Sequence, residues 1–408
     1  MRRRLFFALL AVIPIIMLLF SFSQAAPAKD KIRVGWVTSL SGVNAPGVMD
    51  TSGNVYKMWV EEVNAKGGLM IKEYGKRLPL DVTMYDDKSD VGTMTKLLEK
   101  AIVEDKVDMI FSPWDTAFLF AAAPIANKYK MVLMGGSGGA LKLKQVISKY
   151  PYYFQVLNFA DTQIPALADV FKEVGVKSAY IAYIQDLHGL EYNEVAQKEL
   201  PKRGIKIVAA KSFPLDQQDF TPLLKEAKAS GADAFLGFLY PQNAFPATGQ
   251  AMEVGYNPKA FYMTVGPCLA GYRDAFGAKG IDGVIGAGAW SPKSGPGAKD
   301  FFDRYTKRWG HEPEGWGTLF YYSSLQFLQQ AIEEAGTLNQ TKIRDIMATK
   351  TYQTALGPFK FTKGIFLNHP GEVGQWQDGT WQIIDQGAKR TAKPIYPKPM
   401  WGPPPAKK

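Results

Sequence analysis

Apolar positions along this chain fall at two spacings, and the two alternate. Residues 32–38 (IRVGWVT) form a mostly apolar run of strand length. Over 50–64, Val55, Met58, Trp59 and Val63 recur at helical spacing, and Gly67-Gly68 supplies the stop. The alternation continues with a strand at 78–85, a helix at 90–104, a strand at 107–111, a helix at 116–129 and a strand at 131–134. Strands alternating with helices on short connections predict parallel sheets covered on both faces.

The pattern then restarts. A short extended piece at 152–156 precedes a helix at 161–174, a strand at 178–184 (SAYIAYI) and a helix at 190–203. Strands at 205–210, 232–239 and 260–265 alternate with helices at 220–230 and 242–254. The last third reads as helices at 300–309, 318–335 and 341–349, a short strand at 357–361, and a hairpin over 374–384 turning at Asp378-Gly379. From Lys393 the chain is rich in Pro and Lys and takes no helix or strand pattern, packing as an extended strap or fraying.

The first residues bear on compartment. Arg2, Arg3 and Arg4 precede an apolar run broken only by Pro14, and Ser23-Gln24-Ala25 has the small-x-small form that a signal peptidase reads. Export with cleavage after Ala25 is the expectation, favoured over a retained anchor because the run is shorter than the ~20 residues of a spanning helix. No cysteine stands near that site to carry a lipid, so a free periplasmic protein is expected; Cys268 is the single cysteine, so no internal disulfide forms. The remaining length exceeds the ~250–300 residues at which one core stops growing, so two domains are expected. The net charge of +10 falls to +7 without Arg2, Arg3 and Arg4, and its scattered distribution does not imply nucleic acid.

The segments IRVGWVTSLSG, VNAKGGL, MYDDKSD, VDMIFSPWDTA, SAYIAYIQDLHGLEYNE, DFTPLLKEAKASGADAFLGF and WGTLFYYSSLQFLQQAIEEAG, with GPFKFTKG and GQWQDGTWQII, occur in that order. The ordered set resembles the periplasmic branched-chain amino acid-binding proteins, the type I solute-binding proteins of ABC transporters, from residue 31 to about 385. The resemblance implies an α/β fold of two Rossmann-like lobes joined by three crossings, near 154–158, 283–288 and 357–363. It divides the chain into a signal peptide (1–25), lobe 1 (26–156 with 286–358), lobe 2 (157–285 with 359–385) and a Pro/Lys-rich tail (386–408). It implies a small-molecule ligand between the lobes and an ABC transporter permease at the inner membrane as partner.

In such a fold, loops at the carboxyl ends of strands line the cleft. The candidates are Ser41 in the first loop; Trp114, Asp115 and Thr116 opening a helix, where backbone N–H groups suit an anion; and Ser137, Gly138 and Gly139 in a Gly-rich loop. The second lobe offers Asp186, His188, Tyr240 and Gln242. Several depart from the amino acid-binding pattern. Asp115 stands where the family commonly has a hydroxyl, Gly139 aligns with a Thr or Ser, and His188 replaces a tyrosine. The segment Thr264 to Leu269 lacks the ammonium-binding carboxylate usual in the family, and Asp186 or Asp115 is the substitute that the sequence offers. An ordinary α-amino acid is thus in doubt, and Trp114, His188, Tyr240 and Phe245 suggest a pocket for an aromatic or planar solute. The plainer alternatives are a sheet-edge cap for Trp114 and a packing role for His188.

Other functions find less support. Gly135-x-Ser137-x-Gly139 has the form of a hydrolase nucleophile elbow, with His311 and His369 downstream, but lacks the neighbouring oxyanion motif. Three scattered histidines and one cysteine give no metal-ligand spacing, and no Lys-Ser/Thr ends a phosphate loop, so no cofactor is expected. A ligand sensor acting through a receptor remains an alternative to a transporter component, because the same two lobes serve both.

Overall fold

The computed structural model describes residues 29–288 and 290–402; the expected signal peptide lies outside them, as does the end of the tail. Strand Ile32–Thr38 lies between Leu80–Asp86 and Met109–Phe111, parallel to both, with Trp36 level with Met84 and Phe111. A second group runs Phe361–Thr362, Ile365–Phe366, Tyr153–Gln155, Leu133–Gly135. Helix Asn54–Ala65 buries Val55, Met58, Trp59 and Val63, the side chains that the helical spacing singles out. Helices Ala298–Trp309 and Thr318–Ala335 pack on it, so the chain returns to the first lobe after residue 288.

The second lobe is one seven-stranded sheet, ordered Thr380–Ile383, Val373–Gln377, Ile285–Ala287, Ala260–Met263, Ala234–Phe238, Ser178–Ile184, Lys206–Phe213. Five strands are parallel, and the hairpin at 373–383 closes one edge antiparallel. Its turn holds Asp378 and Gly379 at φ 48° and 72°, the left-handed pair that a two-residue hairpin loop requires.

Two expectations change. The helix expected at 50–64 starts at Ala45, with Pro46 in its first turn, and passes through a π-helical turn at Met49–Gly53. That turn carries Asp50 and Thr51. The second lobe does not resume at 359: Ile365 pairs with Gln155, so 361–366 belong beside the first-lobe strands and the third crossing falls between Phe366 and Val373. The strand expected at 357–361 divides into Gly357–Phe359 and Phe361–Thr362, and the second piece reverses tightly through Lys363 and Gly364, both at positive φ.

The three crossings are bonded together. Asn158 donates its amide to the Glu372 carboxylate, Gly288 N–H donates to the Glu372 carbonyl at 2.7 Å, and His369 Nε2 donates to the Val156 carbonyl at 2.8 Å. Burial raises the Glu372 carboxyl to about 8 and lowers His369 to about 4, so near neutral pH this junction favours the uncharged forms. The tail straps across the second lobe, with Lys398 N–H on the Lys259 carbonyl at 2.7 Å and the Trp401 indole on the Tyr256 carbonyl at 2.7 Å.

Trp381 fills a slot formed by the absence of side chains. A Cβ on Gly374 would lie 2.1 Å from its ring, and one on Gly315 would lie 2.2 Å away. Gly374→Ala is therefore expected to cost about 1–3 kcal/mol by overpacking. In guanidinium unfolding this lowers the midpoint and leaves the slope unchanged.

Candidate functional site

Two helix N-termini meet where the lobes close. Helix Thr116–Lys128 of the first lobe starts at Asp115, whose carboxylate accepts the Ala117 N–H at 2.9 Å. Helix Leu187–Lys202 of the second lobe starts at Asp186, whose carboxylate accepts the Gly189 N–H at 2.8 Å. Both are N-caps, each satisfying an N–H that the helix itself leaves unpaired. Asp115 has φ 89°, an unfavourable backbone for a non-glycine residue, which costs on the order of 1–3 kcal/mol. Its own N–H donates to Ser137 Oγ at 3.2 Å, which fixes it to the Gly-rich loop.

Tyr240 joins the two sides. Its hydroxyl donates to Asp115 Oδ1 at 3.3 Å, and the Thr116 hydroxyl and Asp186 carboxylate approach the same phenol. Its ring lies 5.6 Å from Trp114 and stacks on His188 at 4.9 Å and 25°. Trp114 is fixed from behind: its indole donates to Thr51 Oγ1 at 2.7 Å, and Thr51 donates to the Gly47 carbonyl at 2.7 Å. Gly47 itself makes room for the indole, since a Cβ there would lie 2.8 Å from it. Gln242 reaches across to Asn44 Oδ1 at 3.5 Å, and Asn44 donates to Asp115 Oδ2 at 3.5 Å. Trp114, Asp115, His188 and Tyr240 are all buried in this closed arrangement.

The charges here are unusual. Burial, and then the Asp186 charge, raise the Asp115 carboxyl above its ordinary 3.8; burial raises Asp186 in the same direction. Burial lowers His188 to about 3, so it is neutral. Thr264 donates its one hydroxyl proton to the Leu239 carbonyl at 2.6 Å, so at 3.1 Å His188 Nε2 must be the donor to it. That leaves Nδ1 as the acceptor nitrogen. Among the described residues, neither Asp115 nor Asp186 forms an ion pair with Lys or Arg.

The other expected residues lie at different distances from this centre. Ser41 is exposed and turns away, donating to Asp86 Oδ2 at 2.6 Å, because Asp86 gathers the backbone of its loop. Gly138 and Gly139 tie their loop to the first crossing, their carbonyls accepting from Gln155 Nε2 at 2.6 Å and Ala160 N–H at 2.8 Å. Phe245 packs against Tyr272 at 5.4 Å as part of the second-lobe core. Ser137 bonds only backbone groups, donating to the Pro113 carbonyl at 3.2 Å; His369 serves the crossings, and His311 lies beside Glu312 and Asn54. No imidazole activates Ser137 in this arrangement.

Sequence reasoning missed Thr51 and Tyr192. Thr51 sits in the π-helical turn, which no periodicity reveals. Tyr192 follows His188 by one helical turn and meets its ring at 4.2 Å, a contact legible from the i, i+4 spacing.

The raised carboxyls make a pH prediction. A carboxyl whose folded value lies above its unfolded one contributes most at pH below the unfolded value, and that contribution is lost as pH rises through the folded value. Wild-type stability should thus fall, relative to Asp115→Asn, as pH climbs from about 4 toward neutrality. Paired chemical denaturation curves of the two proteins measure it, and parallel pH profiles would show that Asp115 titrates as an ordinary exposed acid.

A family model described as "Periplasmic binding protein" matches residues 31–380. The chain is 24% identical over 375 residues to the Leu/Ile/Val-binding protein homolog 7 of Brucella suis, covering 87% of this chain and 91% of that protein. It is 23% identical to the leucine-, isoleucine-, valine-, threonine- and alanine-binding protein of Pseudomonas aeruginosa, over 88% of this chain and 94% of the relative. Its fold is similar to a solute-binding protein of an ABC transporter from Rhodopseudomonas palustris in complex with 3,4-dihydroxybenzoic acid (TM-score 0.71, 18% identity, 92% of this chain and 99% of that one). It is also similar to a branched-chain amino acid transporter substrate-binding protein from Streptococcus pneumoniae in complex with isoleucine (TM-score 0.75, 18% identity, 87% and 100%). With a family model spanning most of its length, the chain belongs to the periplasmic binding protein family, in its type I, branched-chain amino acid-binding-like branch.

Proposed function

We propose that this protein captures a small organic solute, an amino acid or a related aromatic compound, between its two lobes in the periplasm and delivers it to the permease of an ABC transporter. The observation that carries the reading is the group built from both lobes: Tyr240 reaching Asp115 and Trp114 across the closure. A residue set divided this way is assembled when the lobes meet and comes apart when they separate, so occupancy and closure are coupled. The three bonded crossings form the hinge about which the lobes move. The names of relatives agree with the two ligand classes: isoleucine on one structural neighbour and 3,4-dihydroxybenzoic acid on another. Export with removal of residues 1–25 belongs to the same reading.

A thermal-shift screen of residues 26–408, after unfolding and refolding to strip carried solute, tests it. A ligand at 100 times its Kd adds ~2.7 kcal/mol to stability. Tyr240→Ala should weaken that ligand at least tenfold while the refolded variant keeps the wild-type circular dichroism spectrum. A ligand bound equally well by wild type and Tyr240→Ala would place capture outside this cleft.

A further inference from the structure

A concave site lies at the chain crossings and shares no lining residue with the group around Tyr240. It is a cavity of about 550 Å³, within the roughly 300–1,000 Å³ typical of small-molecule sites. Lys293 and Ser294 line it from the first lobe, just after the second crossing. Asn368 and His369 line it from the third crossing. Lys389 and Arg390 line it from the second lobe, where Thr391 N–H ties their segment to the Ile383 carbonyl at 2.8 Å. The walls thus come from both lobes and from a segment that joins them.

The charge of these walls has one sign. No Asp or Glu lines the cavity among the described residues. Arg390 is fully engaged, paired with both Glu173 oxygens at 2.7 Å and donating Nε–H to the Asp385 carbonyl at 2.7 Å. Lys389 gives one Nζ proton to the His369 carbonyl and keeps two. Neither Lys293 nor Lys389 has an ion pair among the described residues. Ser294 Oγ accepts the Ser291 N–H at 2.8 Å and retains its own proton to donate. Ser291 Oγ takes the Lys293 N–H at 3.2 Å, so the loop that carries Lys293 is held in shape. The acids of the adjoining segments are occupied elsewhere. Asp385 accepts the Glu372 and Val373 N–H groups at 2.8 and 2.9 Å, and Glu372 takes the Asn158 amide. His369 is kept neutral by burial and adds no charge.

We propose that this cavity is an effector site for a small multivalent oxyanion, a polycarboxylate or a phosphate compound, that bridges Lys293 of the first lobe and Lys389 of the second. One carboxylate answers one ammonium and leaves the other unpaired, whereas a molecule with two or more oxyanion groups answers both through charge-assisted hydrogen bonds. The Ser294 hydroxyl and the Asn368 amide add neutral donors beside them. Because the anion touches both lobes, its affinity depends on the angle between them. By reciprocity it favours the lobe angle at which the cavity is assembled, and so biases closure from outside the cleft. Anion binding here does not require an occupied cleft, so the site is testable without knowing the solute.

Citrate, tricarballylate, pyrophosphate and inorganic phosphate are titrated calorimetrically into stripped residues 26–408. Ionic strength is held constant with sodium chloride, and acetate is the monovalent comparison. A multivalent anion should bind and acetate should bind more weakly; preference for citrate or for pyrophosphate separates a carboxylate source from a phosphate one. Lys293→Gln and Lys389→Gln should each weaken that anion about fivefold, the scale of one exposed charge pair. Lys96→Gln, on the exposed side of helix Val91–Val103, should leave its affinity unchanged. Lys293→Gln removes a side chain with no ion-pair partner, so it reports on the site even where loss of the Lys389 bond to His369 disturbs the crossing. In X-ray scattering, the saturating anion should reduce the radius of gyration of the stripped protein. Equal affinity in wild type and Lys293→Gln, or no binding of any multivalent anion at millimolar concentration, overturns the proposal. Weakening by only one of the two lysine variants places the anion on a single lobe and overturns the bridge, and an unchanged radius overturns the effector role.

Discussion

The structure turns on one contact, the Tyr240 hydroxyl placed against the Asp115 carboxylate at the meeting of two helix N-termini. Closing the lobes brings the positive ends of Thr116–Lys128 and Leu187–Lys202 together, and the helices touch. Asp115 and Asp186 offset that repulsion by capping their own helices, but their charges then repel each other in a buried place. A neutral phenol between them, stacked on a neutral imidazole, is the arrangement that lets both acids stay. The closed form is held by a close balance of opposing terms, and a ligand can shift such a balance with modest differential affinity.

The residues around this group are each bonded from behind. Trp114 is bonded to Thr51 and seated against Gly47, Asp115 is locked to Ser137, and His188 is bonded to Thr264. The backbone strain at Asp115 is sustained because each of these neighbours is fixed independently. The junction of Asn158, Gly288 and Glu372 ties the crossings by bonds between chain segments.

Much of this was legible in the sequence, for physical reasons that differ by element. The strand–helix alternation and the Asp378-Gly379 turn are local, set by side-chain period and by which residues accept a left-handed backbone. Trp114, Asp115, Asp186, His188 and Tyr240 were identifiable because topology alone sends the ends of parallel strands to one edge. Their mutual arrangement was not, because Asp115 and Tyr240 meet across 125 residues and the burial that raises the acids is a property of closure. Ser41 misled because its hydroxyl has a partner in Asp86, and the third crossing, placed near 357–363 by resemblance, falls later because Ile365 pairs with Gln155, a contact distant in sequence. Thr51 was hidden by the π-helical turn that shifts the register of its helix.

The central claim is that the two lobes close on a solute and open without it. Small-angle X-ray scattering on the protein stripped by unfolding and refolding, and again after the small-molecule fraction released in that step is restored, tests it most directly. The account predicts a larger radius of gyration for the stripped protein and a return to the compact value when the fraction is added back. An identical radius in both states would contradict it, leaving a rigid two-lobed protein whose buried Asp115–Tyr240 contact is structural.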